Sequence, residues 1–284
     1  MAQTFIPFGK LSTGGGTVGT IGLDICEGRL TLTSGVPVTT SDVTGAGTIY
    51  FTPYKGNRVA LYDGTAWAIY TFSELSTTTP AGAGPVINDL FVYATGTAVA
   101  LTKSANWTNT TTRADSLDTL NGIIVNGSDN TLRYLGTAAG TPSGCQDSVT
   151  QRYLWNYYNR IPRTLVTAIS VTGTWTYNTN SWRMVNGSSL NRFEFVVGYQ
   201  EDDIDFEAIG AGSNNSANTF AIGIGLDATD SNSAQFNLGG GSSAIIPLHA
   251  CYSSSLTIGY HFVQMIEWGA SVGTTTFYGI VETI

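Results

Sequence analysis

The segment that decides the fold is Val59-Ala60-Leu61-Tyr62-Asp63-Gly64-Thr65-Ala66-Trp67-Ala68-Ile69-Tyr70. Two runs of strand-forming residues flank an Asp-Gly pair, and Asp-Gly favours the two-residue type I′ turn, whose central residues need positive φ. The preceding run, residues 49–54, is also rich in β-branched and aromatic residues. The segment therefore predicts a β-hairpin over 59–70 in a strand-rich neighbourhood.

The composition extends this β pattern to the whole chain. Of its 284 residues, 42% are hydrophobic and only 11% are charged, against a usual charged share of about 25%. Gly, Ser, Thr and Asn take the place of the missing charges, which disfavours long surface helices and favours short strands with tight turns. We expect an all-β fold.

The last 120 or so residues contain strand-like runs spaced by about ten residues, with turn residues between them. This spacing is typical of a β-sandwich, and we expect a jelly-roll-like one. The predicted strands cover residues 165–171, 173–177, 182–185, 192–198, 205–209, 219–226, 244–252, 259–267 and 274–281.

One segment departs from the pattern. Residues 146–160 contain neither Gly nor Pro, and Val149, Tyr153 and Tyr157 fall on one helical face at i, i+4 and i+8. Pro162 would end such a helix. The spacing predicts a short helix here.

These observations divide the chain into three parts. Residues 1–47 alternate short apolar runs with Gly-rich turns and are interpreted as a short-stranded N-terminal arm. Residues 48–163 form a central β module that carries the helix, and residues 164–284 form the C-terminal β-sandwich. We expect the arm to anchor the protein on a partner.

Charge and hydropathy exclude several functional classes. The net charge of −8 leaves no broad basic surface for nucleic acid or anionic lipid. No apolar run approaches the roughly 20 residues of a membrane span, and the N-terminus does not have the pattern of a signal peptide, so we expect synthesis in a cytoplasm. Cys26, Cys145 and Cys251 lie too far apart for a metal motif and are expected to be buried thiols.

Acidic residues are the first candidates for chemistry. Residues 201–207 hold five carboxylates, of which Asp202, Asp203 and Asp205 could ligate a hard cation. Their spacing fits no calcium loop, so we expect a solvated turn that leads into a strand, and neither metal nor cofactor. A glycosidase would need two carboxylates in a cleft, and the scattered acids single out no pair (Asp63, Glu74, Asp115, Asp118, Glu194 and Asp205). Since neither His249 nor His261 lies in a nucleophile motif, we expect no enzyme.

Aromatic residues are the second group of candidates. Tyrosine and tryptophan rings on exposed loops can stack on sugar rings, although cross-strand packing explains many such residues equally well. Trp107 belongs to this group, and we select Trp175, Tyr177, Trp182 and Tyr199 as candidates for glycan contact.

A resemblance to a known class of proteins is carried by ordered segments within 48–163. Residues 48–67 and 72–76 resemble a module of virion structural proteins from tailed bacteriophages and prophages. The module continues in Trp107-Thr108, in 112–123, in Arg133-Tyr134-Leu135-Gly136-Thr137 and in 152–160. Residues 261–279 are more loosely similar to the ends of such proteins.

This resemblance implies a non-enzymatic fibre, spike or decoration protein on a virion, usually a homotrimer. We expect residues 1–47 to attach to capsid, collar or tail proteins, the C-terminal sandwich to contact host glycan, and Tyr153, Trp155 and Tyr157 to lie near the trimer interface. Two alternatives stay open. One is a capsid decoration or cement protein that stabilises the shell, and the other is a tailspike-like glycan hydrolase.

Overall fold

The computed structural model describes residues 22–201 and 203–283, and the fold within these ranges is all-β. The helical structure in them is one 3₁₀ turn at Val185–Gly187. No helix in these ranges has the length and apolar character to cross a membrane. The prediction of an all-β chain from low charge and high Thr, Ser and Gly content is confirmed.

Within residues 22–156 the structure contains fourteen strands. They are β1 (Gly28–Thr31), β2 (Val43–Ala46), β3 (Thr48–Pro53), β4 (Arg58–Tyr62), β5 (Trp67–Thr71), β6 (Leu75–Thr78), β7 (Val86–Thr95), β8 (Ala98–Lys103), β9 (Leu117–Leu120), β10 (Ile123–Asn126), β11 (Arg133–Gly140), β12 (Cys145–Asp147), β13 (Gln151–Arg152) and β14 (Leu154–Asn156).

Ten more strands follow. They are β15 (Val166–Thr176), β16 (Trp182–Met184), β17 (Arg192–Val197), β18 (Asp203–Asn214), β19 (Thr219–Leu226), β20 (Phe236–Leu238), β21 (Gly240–Gly241), β22 (Ile246–Ser255), β23 (Gly259–Trp268) and β24 (Thr275–Thr283).

The strands form five sheets. Two are small, with the orders β1-β3-β6 and β4-β5, and a six-stranded sheet has the order β8-β7-β11-β10-β9 with β14 added beside β11. An eight-stranded sheet runs β2-β12-β13-β17-β23-β19-β21 with β16 beside β23. The fifth sheet has the order β15-β24-β18-β22-β20.

The C-terminal half is a β-sandwich, as predicted. Alternate residues of β17, β19 and β23 and of β18, β22 and β24 point into one shared core. Phe193, Phe206, Phe220 and Phe277 are at most 1% exposed in this core. Along β18, Phe206 is buried while Asp205 and Glu207 face solvent, which is the alternation that the sequence predicted.

A second core lies mainly in the 48–163 region and is built around Leu30, Phe51, Leu61, Leu90 and Leu135. Cys26 and Cys145 are buried free thiols in it, and burial raises the pKa of Cys26 to about 11. Cys251, by contrast, is half-buried in the sandwich.

The hairpin over 59–70 forms, but its turn differs from the prediction. Strands β4 and β5 pair in the register Val59↔Tyr70 and Tyr62↔Trp67, so the loop has four residues, Asp63 to Ala66. The Asp63 carboxylate accepts both the Thr65 and Ala66 amides at 2.8 Å. These bonds close a longer loop and remove the need for positive φ at Asp63, so the type I′ turn was a wrong prediction.

The helix predicted over 146–160 is also wrong, because this segment forms β12, β13 and β14. Its backbone groups pair with other strands, for example Trp155 of β14 with Thr137 of β11. Of the three residues on the predicted helical face, Val149 is exposed while Tyr153 is buried. The aromatic residues of this segment are as compatible with strands as with a helix. In the structure its backbone groups pair with β2, β11 and β17 instead of with one another in a helix.

The eight-stranded sheet links the central region to the sandwich. Its β13 pairs with β17 in parallel, with Gln151 opposite Glu194, while β12 pairs with β2. Residues 151 and 194 lie on opposite sides of the predicted boundary at 163/164. The sheet therefore crosses that boundary, and residues 28–46, assigned to the arm, supply strands β1 and β2.

A pH-dependent contact joins Asp227, which follows β19, to His261 near the start of β23. His261 is 5% exposed, and its Nδ1 lies 2.8 Å from Asp227 Oδ2 while its Nε2 lies 2.9 Å from the Thr257 carbonyl oxygen. Only the doubly protonated ring can donate to both acceptors. Burial alone would lower the pKa of His261, but the two hydrogen bonds and the Asp227 charge raise it overall.

We therefore expect the free energy of unfolding to fall as pH rises. The contribution of His261 is fully present below the unfolded-state pKa of about 6.5 and is lost as pH rises through the higher folded-state value. Urea unfolding at a series of pH values measures this slope. The variant His261→Gln should flatten it, and an unchanged slope in that variant would contradict the assignment.

Candidate functional site

A cleft of about 870 Å³ lies between the segment that follows β14 and the start of β18. Two walls come from β17 and from the irregular stretch of residues 157–165, which leaves the sheet after Asn156. The structure brings together here residues that the sequence suggested for three different roles. Trp155, Tyr199, Asp203 and Asp205 all line this cleft.

The floor of the cleft is apolar. Five of its lining side chains are buried, namely Leu154, Leu165, Phe195, Val196 and Val197. They belong to the two hydrophobic cores on either side, so the cleft lies on a packed base. Such a base positions the polar groups around it with little freedom to move.

One end of the cleft holds three arginines around a single carboxylate. Asp147 ends β12, and its Oδ1 lies 2.7 Å from Arg152 Nε. Its Oδ2 accepts a hydrogen bond from Arg163 Nη1 at 3.0 Å. The Thr39 hydroxyl oxygen accepts a further bond from Arg163 Nη1 at 3.1 Å, and the same hydroxyl donates to Asp147 Oδ2 at 3.4 Å. We call Arg29, Arg152 and Arg163 the arginine cluster.

Arg29 completes the cluster and is 6% exposed. It is held by backbone carbonyls, with bonds from Nη1 to Pro37 O at 2.6 Å and from Nε to Asn159 O at 3.2 Å. Burial lowers the pKa of Arg29; the Asp147 charge raises it and Arg163 lowers it again. Burial also lowers the pKa of Arg152; the Asp147 charge raises it, and the Arg163 and Arg29 charges lower it further. The three guanidinium groups thus repel one another and share one carboxylate.

The rim of the cleft is aromatic. Trp155 and Tyr199 are half-buried, and Tyr157 lies between them with ring centroids at 6.2 Å from Trp155 and 5.5 Å from Tyr199. The Arg160 guanidinium lies 5.3 Å from the Trp155 ring centre and pairs with Glu201 at 2.5 Å. The rings of Trp155, Tyr157 and Tyr199 are thus held by one another and by the Arg160 guanidinium.

A glycine allows Trp155 to lie so close to the neighbouring strand. A Cβ atom at Gly198 would lie 2.5 Å from Trp155 Cε3 and 2.6 Å from the Tyr134 hydroxyl. Real Cβ atoms do not approach other atoms so closely, so position 198 must be glycine for the ring to keep this position. Gly198 thereby fixes the rim at the end of β17.

The acidic residues lie on the opposite wall. Asp203 and Asp205 are exposed on β18, and Asp205 pairs with Ser253 of β22. Asp202, the third residue considered for a metal, lies outside the described residues. Across the described ranges no group of three or more His, Cys, Asp or Glu side chains is arranged to hold a metal ion.

The other aromatic candidates lie elsewhere. Trp175 donates from Nε1 to the buried Glu267 carboxylate at 2.5 Å, and the Arg183 guanidinium stacks 3.8 Å from the Tyr177 ring centre. Burial raises the pKa of Glu267, although the hydrogen bonds from Trp175 and Arg183 lower it. Trp182 pairs across strands with Trp268. These rings are half-buried and support the sandwich; none of them lines the cleft.

Two further aromatic residues are buried. Trp107 is 6% exposed and donates to the buried Asp89 carboxylate at 3.1 Å, so it is no exposed-loop residue. Tyr153, one of the three residues expected at the trimer interface, is 1% exposed and donates to Glu194 at 2.5 Å. Trp155 and Tyr157 keep accessible ring surface.

Sequence reasoning missed the arginine cluster and Asp147. Arg29 is separated from Arg163 by more than 130 positions, and only the fold unites them. One signal was present: three of the twelve Lys and Arg residues fall within residues 152–163. In a chain so poor in cations, that local density is unusual and marks a site with positive charge.

Comparisons with known proteins add little. No family model matches the chain, and no curated protein matches it. Among solved structures, the insecticidal delta-endotoxin Cry8Ea1 from Bacillus thuringiensis is 8% identical with a TM-score of 0.27. A Cry1Da tryptic core variant from the same organism is 10% identical with a TM-score of 0.19.

Each alignment covers 84% of this chain but only 49% and 48% of the two toxins, respectively. This chain thus spans about half of their length. At these TM-scores the likeness carries no argument about fold or function.

The arginine cluster gives a direct prediction for stability. Replacing Asp147 with Ala leaves Arg152 and Arg163 partly buried without a carboxylate, so we expect a loss of about 3–5 kcal/mol in the free energy of unfolding. Urea unfolding measures the loss. Asp118→Ala is the matched control because Asp118 is exposed, and its effect should stay within about 0.5 kcal/mol. Equal effects of the two substitutions would contradict the role of Asp147.

Proposed function

We propose that this chain is a structural protein on the virion surface of a tailed phage. In this proposal it is a homotrimeric fibre or spike that attaches to other virion proteins through residues 1–47 and contacts host-surface glycan through the cleft. Support comes from the resemblance carried by 48–163, from the all-β fold and from the chemistry of the cleft.

The observation that carries glycan contact is the combination of groups in one cleft. Trp155 and Tyr199 offer ring faces at the rim, and Asp203, Asp205 and the arginine cluster offer acceptors and donors on two walls. A sugar ring presents an apolar C–H face and a rim of hydroxyls, and these groups match both kinds of surface. A volume of about 870 Å³ falls in the range of small-molecule sites.

The placement of the acids favours binding without hydrolysis. A glycosidase needs a general acid with a raised pKa facing a second carboxylate in the cleft. In the described ranges, burial raises the pKa of Asp89 and Glu267, but both side chains are at most 1% exposed and lie outside the cleft. Glu194 accepts hydrogen bonds from Tyr153 and Gln151 and is committed to that network.

Strand edges support the trimer. Within the described chain β15, eleven residues long, pairs along one side only, with β24. Long uncovered edges invite pairing with other chains, and stable proteins cover them. A second copy of the chain would provide that cover.

The trimer is tested first by light scattering of the purified full chain. We expect a mass near three chains of 30.0 kDa that persists on dilution. A monomer at all concentrations would contradict the hypothesis of a trimeric fibre or spike. A trimer that enters virions but binds no glycan would favour the capsid decoration or cement role.

Glycan contact is tested with two aromatic variants on an array of bacterial surface glycans. Tyr199→Ala removes a ring from the rim and should weaken binding about fivefold, since such a ring contact contributes about 1 kcal/mol. Trp182→Ala removes a half-buried ring outside the cleft and is the matched control. If Trp182→Ala weakens binding and Tyr199→Ala does not, the glycan site lies at the rings of Trp175, Tyr177 and Trp182 instead.

A further inference from the structure

We propose that the cleft selects acidic saccharides, with the arginine cluster binding the carboxylate, sulfate or phosphate group of the sugar. This inference rests on the proposed glycan contact and adds the chemical class of the ligand. It stands on the charge balance, the unengaged donors and the arrangement of the cleft walls.

The charge balance at the end of the cleft is uneven. Arg29, Arg152 and Arg163 bring three positive charges to one Asp147 carboxylate, which leaves an excess of two. The side chains of Arg152 and Arg163 are 19% and 20% exposed, and Arg29 as a residue is 6% exposed. Because charge that is withdrawn from water needs a counter-charge, this end of the cleft favours an anion.

Donors of the cluster are available for such an anion. The Arg152–Asp147 ion pair is closest through Nε, at 2.7 Å, and within the described chain the two Nη groups of Arg152 make no hydrogen bond. The Nη2 group of Arg29 likewise has no acceptor there, since its bonds run from Nε and Nη1. A guanidinium with free Nη groups binds a carboxylate or sulfate through two parallel hydrogen bonds.

The rest of the cleft argues for a sugar rather than a bare anion. An inorganic anion would use only the arginine cluster, whereas Trp155 and Tyr199 form an apolar rim and Asp203 and Asp205 form a carboxylate wall. Carboxylates accept hydrogen bonds from sugar hydroxyls. They also repel a second negative group, which disfavours polyphosphates and nucleic acids. The cleft thus fits a ring with one acidic group and several hydroxyls.

The experiment is isothermal titration of the full chain with matched sugars. The acidic probes are N-acetylneuraminic acid, glucuronic acid, and the 6-sulfate and 6-phosphate of N-acetylglucosamine; the neutral probe is N-acetylglucosamine. We expect the wild-type protein to bind at least one acidic probe about tenfold more tightly than the neutral one. Which acidic probe binds identifies the anionic group.

Variants assign the selectivity to the cluster. Arg152→Gln and Arg163→Gln should each weaken acidic-probe binding about tenfold and leave the neutral probe unchanged. Arg58→Gln is the matched control, because Arg58 is an exposed arginine that pairs with Glu27 outside the cleft. Arg152→Lys keeps the charge but loses the paired donors, so its affinity should lie between those of wild type and Arg152→Gln.

A measurement on the wild-type protein guards against variants that fail to fold. Raising NaCl to about 0.5 M should weaken acidic-probe binding and leave neutral-probe binding nearly constant. Equal affinity for acidic and neutral probes, with no salt dependence, would overturn the inference. Inorganic sulfate that binds as tightly as the sulfated sugar would overturn it too, because saccharide recognition would then be absent.

The same variants separate this inference from the proposed function. If Tyr199→Ala weakens glycan binding while Arg152→Gln and Arg163→Gln do not, glycan contact stands and acidic selectivity falls. If none of the three substitutions affects binding, glycan contact through the cleft and acidic selectivity both fall.

Discussion

The Asp147 carboxylate is the contact on which the geometry of the cleft depends. It sits at the end of β12, whose neighbour is β2, and it binds Arg152 of β13 and Arg163 of the irregular stretch that follows β14. Three separate pieces of backbone are therefore tied to one side chain. Because the group is 9% exposed, its pairing with Arg152 and Arg163 is little weakened by water.

The β13–β17 pairing extends this constraint across the molecule. Strand β13 is only two residues long, yet it is the parallel connection between the described strands of the central region and those of the sandwich. The Glu194 side chain on β17 accepts hydrogen bonds from Gln151 and Tyr153 and reinforces the same junction. The walls of the cleft come from both sides of this junction, so the cleft exists only while the junction holds.

The comparison of sequence and structure shows which features follow from local pattern. The strands over 192–198, 219–226 and 259–267 were predicted nearly to the residue, because alternation and turn residues are local signals. The strands within 146–160 were not predicted. The spacing of Val149, Tyr153 and Tyr157 fits a helix, and the strand conformation depends on pairing with strands that are distant in sequence. Of the cleft, sequence singled out Trp155, Tyr199, Asp203 and Asp205 one at a time. It missed Arg29, whose place depends on the pairing of β1 with β3.

The cleft reconciles the negative net charge of the chain with the proposed acidic ligand. A net charge of −8 repels anions at long range, but at physiological salt that repulsion is screened within about 8 Å. The arginine cluster acts at contact distance, where burial has removed much of the competing water. Its attraction is therefore local and stays stronger than the screened repulsion of the surface. A surface that is acidic overall also discourages adsorption to nucleic acid, while the proposed anion site at the arginine cluster is local to one end of the cleft. In the proposed role, the negative net charge disfavours nucleic acid as a partner, and the positions of Arg29, Arg152 and Arg163 select the anion that binds.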